Sequence, residues 1–242
     1  MKIWIRNTLF LAAVAVTAVC IAIVCSLERN SRALLACNDI CIEFKDTLGF
    51  ISASDVKKCI KDQYGDVTGR QIDAIDLTRI EQIMEGTGAV KNCETWATRD
   101  GKLHVLISQR HPAMYLTNGN SRVYVDFDGF RFRSLNACKE NVPEIMTGSW
   151  TPSDKWIGEM IGFVRFISGE GRWIDRIEKI TSRSNGEISF ILSDGGEEVL
   201  FGQPVRIKEK FTGIDKYLTN VRSLEKKYKT VNVMYSGHII CK

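Results

Sequence analysis

Histidine is scarce in this chain: three in 242 residues, His104, His111 and His238, scattered along it. Neither an HExxH pair nor a cysteine–histidine cluster accompanies them, so no zinc-ligand spacing is present, and they read as ordinary surface or edge side chains. The GxSxG turn that presents a hydrolase serine is missing. A glycine-rich phosphate loop closing on Lys-Ser or Lys-Thr is missing too, which leaves nucleotide hydrolysis without a site. An excess of one charge is also lacking. Lys and Arg number 33 against 29 Asp and Glu, a net of +4, too little for a nucleic-acid protein with a concentrated basic face. The cysteines form no CxxC redox motif. These absences point away from an enzyme and imply no cofactor, no nucleic-acid partner and no small-molecule substrate.

What is present begins with Thr8–Cys25, an uncharged apolar run of about 18 residues that as a helix spans roughly 27 Å. A retained transmembrane helix is expected at 8–25, with a cytoplasmic tail at 1–7; a cleaved signal peptide is the rival, but no clean small-x-small site follows the run. Lys2 and Arg6 on one side oppose Arg29 and Arg32 on the other, so charge alone orients the span weakly. A short tail beside a long folded domain favours an inside amino terminus. Residues 26–38 are polar and unpatterned, a linker. Outside the apolar run lie Cys37, Cys41, Cys59, Cys93, Cys138 and Cys241, open to pairing in an oxidising compartment or to burial as free thiols.

From 39 to 112 the pattern reads β-α-α-β-β. A strand through Phe44 precedes a helix starting at Ser54 or Asp55, with Val56, Cys59, Ile60 and Tyr64 on one face and Gly65 as its stop. A second helix carries Leu77, Ile80, Ile83 and Met84, capped by Asp76 and ended by a left-handed Gly86. Val90–Thr98 and Lys102–Arg110 then form a hairpin across Asp100-Gly101, with Leu103, Val105 and Ile107 inward. Residues 113–242 show short alternating runs broken by Asn118-Gly119, Asp128-Gly129, Asn185-Gly186 and Asp194-Gly195, a mostly antiparallel β domain. Helices interrupt it at Ser153–Ser168 and at Ile207–Lys227, and a final strand is expected over Val231–Cys241. Asp126-x-Asp128-Gly129 reads as a hairpin turn rather than a calcium loop, for it lacks the distant Glu. Trp150, Trp156 and Trp173 read as packing side chains, with a glycan-stacking surface as the alternative.

The motifs Asp76-Leu77-x-x-Ile80-Glu81, Val90-Lys91-Asn92, Gly101-x-Leu103-x-Val105 and Gln109-Arg110-x-Pro112 recur in one family's small membrane-proximal domain. With Tyr124-x-Asp126-x-Asp128-Gly129, Phe201-Gly202, Lys210-Phe211 and the terminal TVNVMYSGHIICK, the chain resembles the FtsQ/DivIB family of bacterial cell-division proteins. The resemblance implies an α+β architecture: a single transmembrane helix, a POTRA-like β-α-α-β-β domain, then a β-rich domain ending in a helix and a strand. It also implies a cell inner-membrane location, with the amino terminus cytoplasmic and the domains periplasmic. The expected function is that of a non-catalytic divisome scaffold acting on septal peptidoglycan synthesis through its partners.

On the residues alone the terminal strand is equally an open edge or a buried strand completing the sheet. As an edge it would place Tyr235, Gly237 and Ile239 on one face and Ser236 and His238 on the other, running into Ile240. The resemblance favours the edge, since family members bind the coiled-coil division proteins FtsB and FtsL with that strand and the helix before it, here including Lys227 and Tyr228. The basic residues Arg222, Lys226, Lys227 and Lys229 suit a solvated helix end, or an acidic segment of a partner. An envelope enzyme or peptidoglycan-binding protein with a dispersed site is the alternative. Convergent carboxylates or histidines in a β-domain pocket would mark it.

Overall fold

The computed structural model describes residues 14–24, 35–119, 121–134, 136, 142–222, 228–235 and 237–242. The expected tail at 1–7, most of the linker, Cys25, Cys138, Lys227 and Ser236 lie outside them. Residues 14–24 form a helix, α1. Among the described residues no helix is long and apolar enough to cross a membrane, and the expected span at 8–25 is described only in that part. The described residues divide into two compact units, one of residues up to Asp46 with Ser52–Gln109, the other of Thr47–Ile51 with Arg110–Lys242.

The first unit follows the expected order: β1 (Asp39–Phe44), α2 (Ala53–Gln63), α3 (Leu77–Glu85), β2 (Val90–Ala97) and β3 (Lys102–Gln109). Its sheet runs β1-β3-β2, β1 parallel and β2 antiparallel to β3. Period-two alternation along β3 buries Leu103, Val105 and Ile107, and the helices supply Val56, Ile60, Ile80 and Met84. Helix α2 starts slightly before Ser54, because Ser52 and Asp55 form a reciprocal capping box. Asp76 caps α3 by accepting from the Arg79 amide at 2.9 Å. The expected left-handed Gly86 is right-handed, at φ −64°; the reversal falls two residues later at Gly88, φ +79°.

The β2–β3 turn is one residue longer than a two-residue hairpin. The Thr98 amide donates to Lys102 O at 2.9 Å and the Gly101 amide to Thr98 O at 3.1 Å, with Gly101 at φ +86°. A Cβ at Gly101 would fall 2.8 Å from the Ala36 backbone O and 2.6 Å from the side-chain Nδ2 of Asn38. Both conformation and space therefore demand glycine there.

The described residues of the second unit form a nine-stranded mixed sheet. Its strands are β4 (Pro112–Asn118), β5 (Ser121–Asp126), β6 (Arg131–Phe132), β7 (Glu144–Met146), β8 (Ile177–Ser182), β9 (Ile188–Leu192), β10 (Glu198–Gly202), β11 (Thr230–Asn232) and β12 (Ile240–Cys241), ordered β12-β11-β10-β9-β8-β7-β4-β5-β6. Antiparallel pairs outnumber parallel ones, but β4–β7, β7–β8 and β10–β11 are parallel. The four expected turns at Asn118-Gly119, Asp128-Gly129, Asn185-Gly186 and Asp194-Gly195 all connect strands. At the second, Asp126 Oδ1 accepts from the amides of Asp128 and Phe130, both at 2.9 Å, and Oδ2 from Arg110 at 3.0 Å. The acidic motif thus closes a turn.

Two helices, α4 (Asp154–Gly169) and α5 (Ile207–Lys216), belong to this unit; Ser153 caps α4, and a wider π turn at Tyr217–Val221 continues α5. The helix expected over Ile207–Lys227 is described to Arg222 and leaves α-helical geometry after Lys216. Apolar residues of both helices meet inward-facing strand residues in one core. Phe211 lies at its centre, with ring centroids 4.7 Å from Trp173, 4.8 Å from Phe166, 5.5 Å from Phe201, 5.8 Å from Phe163 and 6.2 Å from Phe190. Trp173 and Trp156 are buried, and Trp150 stands edge-on to Trp156 at 5.0 Å, as packing side chains do.

Two substitutions test these cores by chemical denaturation. Gly101→Ala should destabilise the first unit by about 1–3 kcal/mol. Phe211→Ala should cost the second about 3–5 kcal/mol, with unfolding of the first unchanged.

Candidate binding edge and groove

The expected single strand Val231–Cys241 is two short strands joined by a turn. The Met234 amide donates to Asn232 Oδ1 at 2.9 Å, an Asx arrangement that ends β11, and Gly237 at φ +73° helps the chain reverse. Tyr235, Gly237, His238 and Ile239 therefore lie on a loop, not on alternating faces of a strand. Gly202 makes room for this loop: a Cβ there would meet Met234 Cγ at 3.0 Å.

Among the described residues strand β12 ends the sheet, bonded to β11 alone. Thr230 and Lys242 exchange both backbone hydrogen bonds, each at 3.0 Å. In an antiparallel ladder the residue beside such a pair points its N–H and C=O the other way, so those of Cys241 face out from the edge. Ile240, 45 % exposed, stands beside them, and Tyr235, 61 % exposed, projects from the loop.

Between α5 and this loop runs a groove of about 270 Å³, lined by Lys210, Gly213, Lys216, Val233, Tyr235, Gly237, His238 and Ile239 among others. Gly213 lets the loop approach: its Cβ position is 3.7 Å from side-chain atoms of both Val233 and Ile239. The groove thus gathers Tyr235, Gly237, His238 and Ile239, with Ile240 next to them on β12. Tyr228 differs from them, being half-buried with its ring 6.4 Å from that of Tyr217. Gly213 and Lys216 are groove residues that the sequence reading missed, and a glycine inside a helical stripe was the available signal.

Lys210 underlies the groove. It is 5 % exposed, and its Nζ donates to Phe201 O at 2.8 Å and Gln203 O at 2.7 Å while lying 4.6 Å from the centre of the Phe201 ring. These carbonyls flank Gly202, where the β9–β10 register shifts and strand pairing ends. Burial, then the Arg206 charge, pushes the Lys210 ammonium down to about 8. The Phe201-Gly202 and Lys210-Phe211 motifs are thus one contact.

Cys20, Cys37, Cys41, Cys59, Cys93 and Cys241 are free thiols; burial raises Cys37, Cys59 and Cys241 and pushes Cys93 up to about 12, the reverse of what a nucleophile needs. A cleft of about 530 Å³ contains Glu144 and Glu178, but Glu144 accepts from Tyr115 Oη at 3.2 Å and Thr117 Oγ1 at 2.9 Å. His104 stacks on Trp96 at 5.1 Å and meets Glu43 at 3.2 Å, far along the chain from His238.

The described residues thus form a small βααββ unit and a mixed sheet that ends in a short strand. Residues 111–242 match the family model described as FtsQ/DivIB, C-terminal related, and residues 35–108 match the POTRA-like domain model. The chain belongs to the FtsQ/DivIB family, whose members are non-catalytic cell-division proteins. No curated protein matches it.

Lys210 predicts a pH signature. Its folded value lies below the ordinary lysine value of 10.5, so between about 8 and 10.5 the unfolded chain binds more protons and stability rises with pH. Denaturation of wild type and Lys210→Met across that window should show wild type gaining relative to the variant. Below about 8 the difference should be flat.

Proposed function

We propose that this protein is a bitopic inner-membrane divisome scaffold that captures an FtsB/FtsL-like partner on the β12 edge and its flanking groove. In this reading the amino terminus is cytoplasmic, residues 8–25 span the membrane, and both folded units lie in the periplasm. The partner adds a strand to Ile240–Cys241, taking affinity from main-chain hydrogen bonds. Tyr235, Gly237, His238, Ile239 and Ile240 confer specificity, with Ser236, Lys227 and Tyr228 as flanking residues. The captured partner links the scaffold to septal peptidoglycan synthesis.

The observation that supports this most is the outward-facing backbone of Cys241 beside exposed Tyr235 and Ile240. An aromatic anchor beside an unpaired backbone edge favours association over catalysis. Family membership supports the division role, and the uncharged run Thr8–Cys25 supports the span.

Detergent-solubilised full-length protein, co-purified with FtsB/FtsL-like candidates, tests the reading. Tyr235→Glu should lose the partner at least about tenfold, because a charge would be desolvated at the contact, while stability stays within about 0.5 kcal/mol of wild type. Equal recovery of partner by both proteins would place recognition elsewhere.

A further inference from the structure

The β9–β10 hairpin buries a carboxylate beside the binding edge. Glu197 is 5 % exposed; its Oε1 accepts from Tyr217 Oη at 3.2 Å and meets Arg222 Nε at 3.1 Å, while Arg222 Nη1 reaches Asp194 at 3.0 Å. Glu197 Oε2 is enclosed and has no hydrogen-bond partner among the described residues, while the carboxylate as a whole is paired with Arg222. Gly195 is shaped to the cluster: a Cβ there would fall 1.9 Å from Arg222 Nη2 and 2.1 Å from Glu197 Oε2. The π turn carries both Tyr217 and Arg222's approach to the cluster, and such turns concentrate at functional places.

From Tyr217 the cluster leads to the edge. Its fully buried ring packs edge-on against Tyr228, and the next residue, Lys229, donates its amide to Lys242 O at 2.7 Å and accepts from the Glu198 amide at 3.0 Å. Glu198, adjacent to Glu197, is also the register partner of Thr230. Strand β12 pairs with β11 at two register positions, Val231–Cys241 and Asn232–Ile240. So short a ladder has little hold of its own, and its placement leans on what fixes Tyr228 and Lys229.

We infer that Glu197, with Tyr217 and Arg222, is a positioning residue for partner capture: the buried cluster holds the β11–β12 edge in the geometry that a partner strand reads. The inference rests on the edge being the recognition surface. It assigns the specificity role to a partly buried charge network centred on the buried Glu197, whose partners fix its arrangement.

Hydrogen exchange on full-length protein tests this independently of any partner. Tyr217→Phe keeps the ring and removes the hydroxyl; peptides covering 228–242 should exchange about tenfold faster, with peptides from β4 and β5 unchanged. Glu197→Gln, which retains an acceptor for Tyr217, should fall between. Partner recovery should drop in the same order, about tenfold for Tyr217→Phe. Unchanged exchange at 228–242, or acceleration spread evenly over the second unit, overturns the inference. So does full partner recovery by Tyr217→Phe when Tyr235→Glu has lost it, an outcome that leaves the recognition reading standing. Full recovery by Tyr235→Glu removes that reading itself, and the positioning role with it.

Discussion

Phe211 is the contact on which the second unit depends. Five aromatic rings from α4, the segment after it, β9 and β10 lie within 6.2 Å of its own, so one side chain on α5 joins helix to helix and helix to sheet. Aromatic rings bury large areas and favour tilted and edge-on contacts, which specify orientation as well as proximity. Lys210, the preceding residue, turns the same helix position into a polar contact by satisfying two carbonyls at the irregular end of β10. Placement of α5 then sets one wall of the groove.

The opposite wall follows from how the chain leaves the sheet. Had Val231–Cys241 remained one strand, Tyr235 and His238 would face opposite sides and the edge would be long and flat. The reversal after Asn232 shortens the exposed edge to Ile240–Cys241 and gathers Tyr235, Gly237 and Ile239 against α5. A short edge flanked by a shaped loop limits indiscriminate strand pairing. Glycines at 202 and 213 make this arrangement sterically available.

Much of the fold was legible because local chemistry and tertiary packing agree. Alternation along Lys102–Gln109, the Asp76 cap, the Ser153 cap and the four Asn-Gly and Asp-Gly turns each express a constraint contained within a few residues. The errors have equally local causes. Gly86 had the right residue type for a left-handed stop, but Gly88 also satisfied that requirement, and the helix end took the later one. The terminal strand looked continuous because its residues suit strands, whereas Gly237 and the Asn232 side chain supplied a competing turn. In the candidate site, Tyr235, Gly237, His238 and Ile239 were expected on one strand and lie on a loop beside α5; Gly213 and Lys216, more than a dozen residues upstream, carried no comparable motif.

By itself the sequence determined most element types, the two-part organisation, the family and the residues that can be buried, because periodicity, caps and turn residues act over short separations. Tertiary structure alone decided that β4–β7, β7–β8 and β10–β11 run parallel, that Lys210 is buried beneath Phe201, and that Glu197, Tyr217 and Arg222 meet below the terminal edge. Those outcomes depend on contacts between residues distant in the chain. No local preference specifies them; they follow from which packing encloses the aromatic core while leaving most buried polar groups with partners.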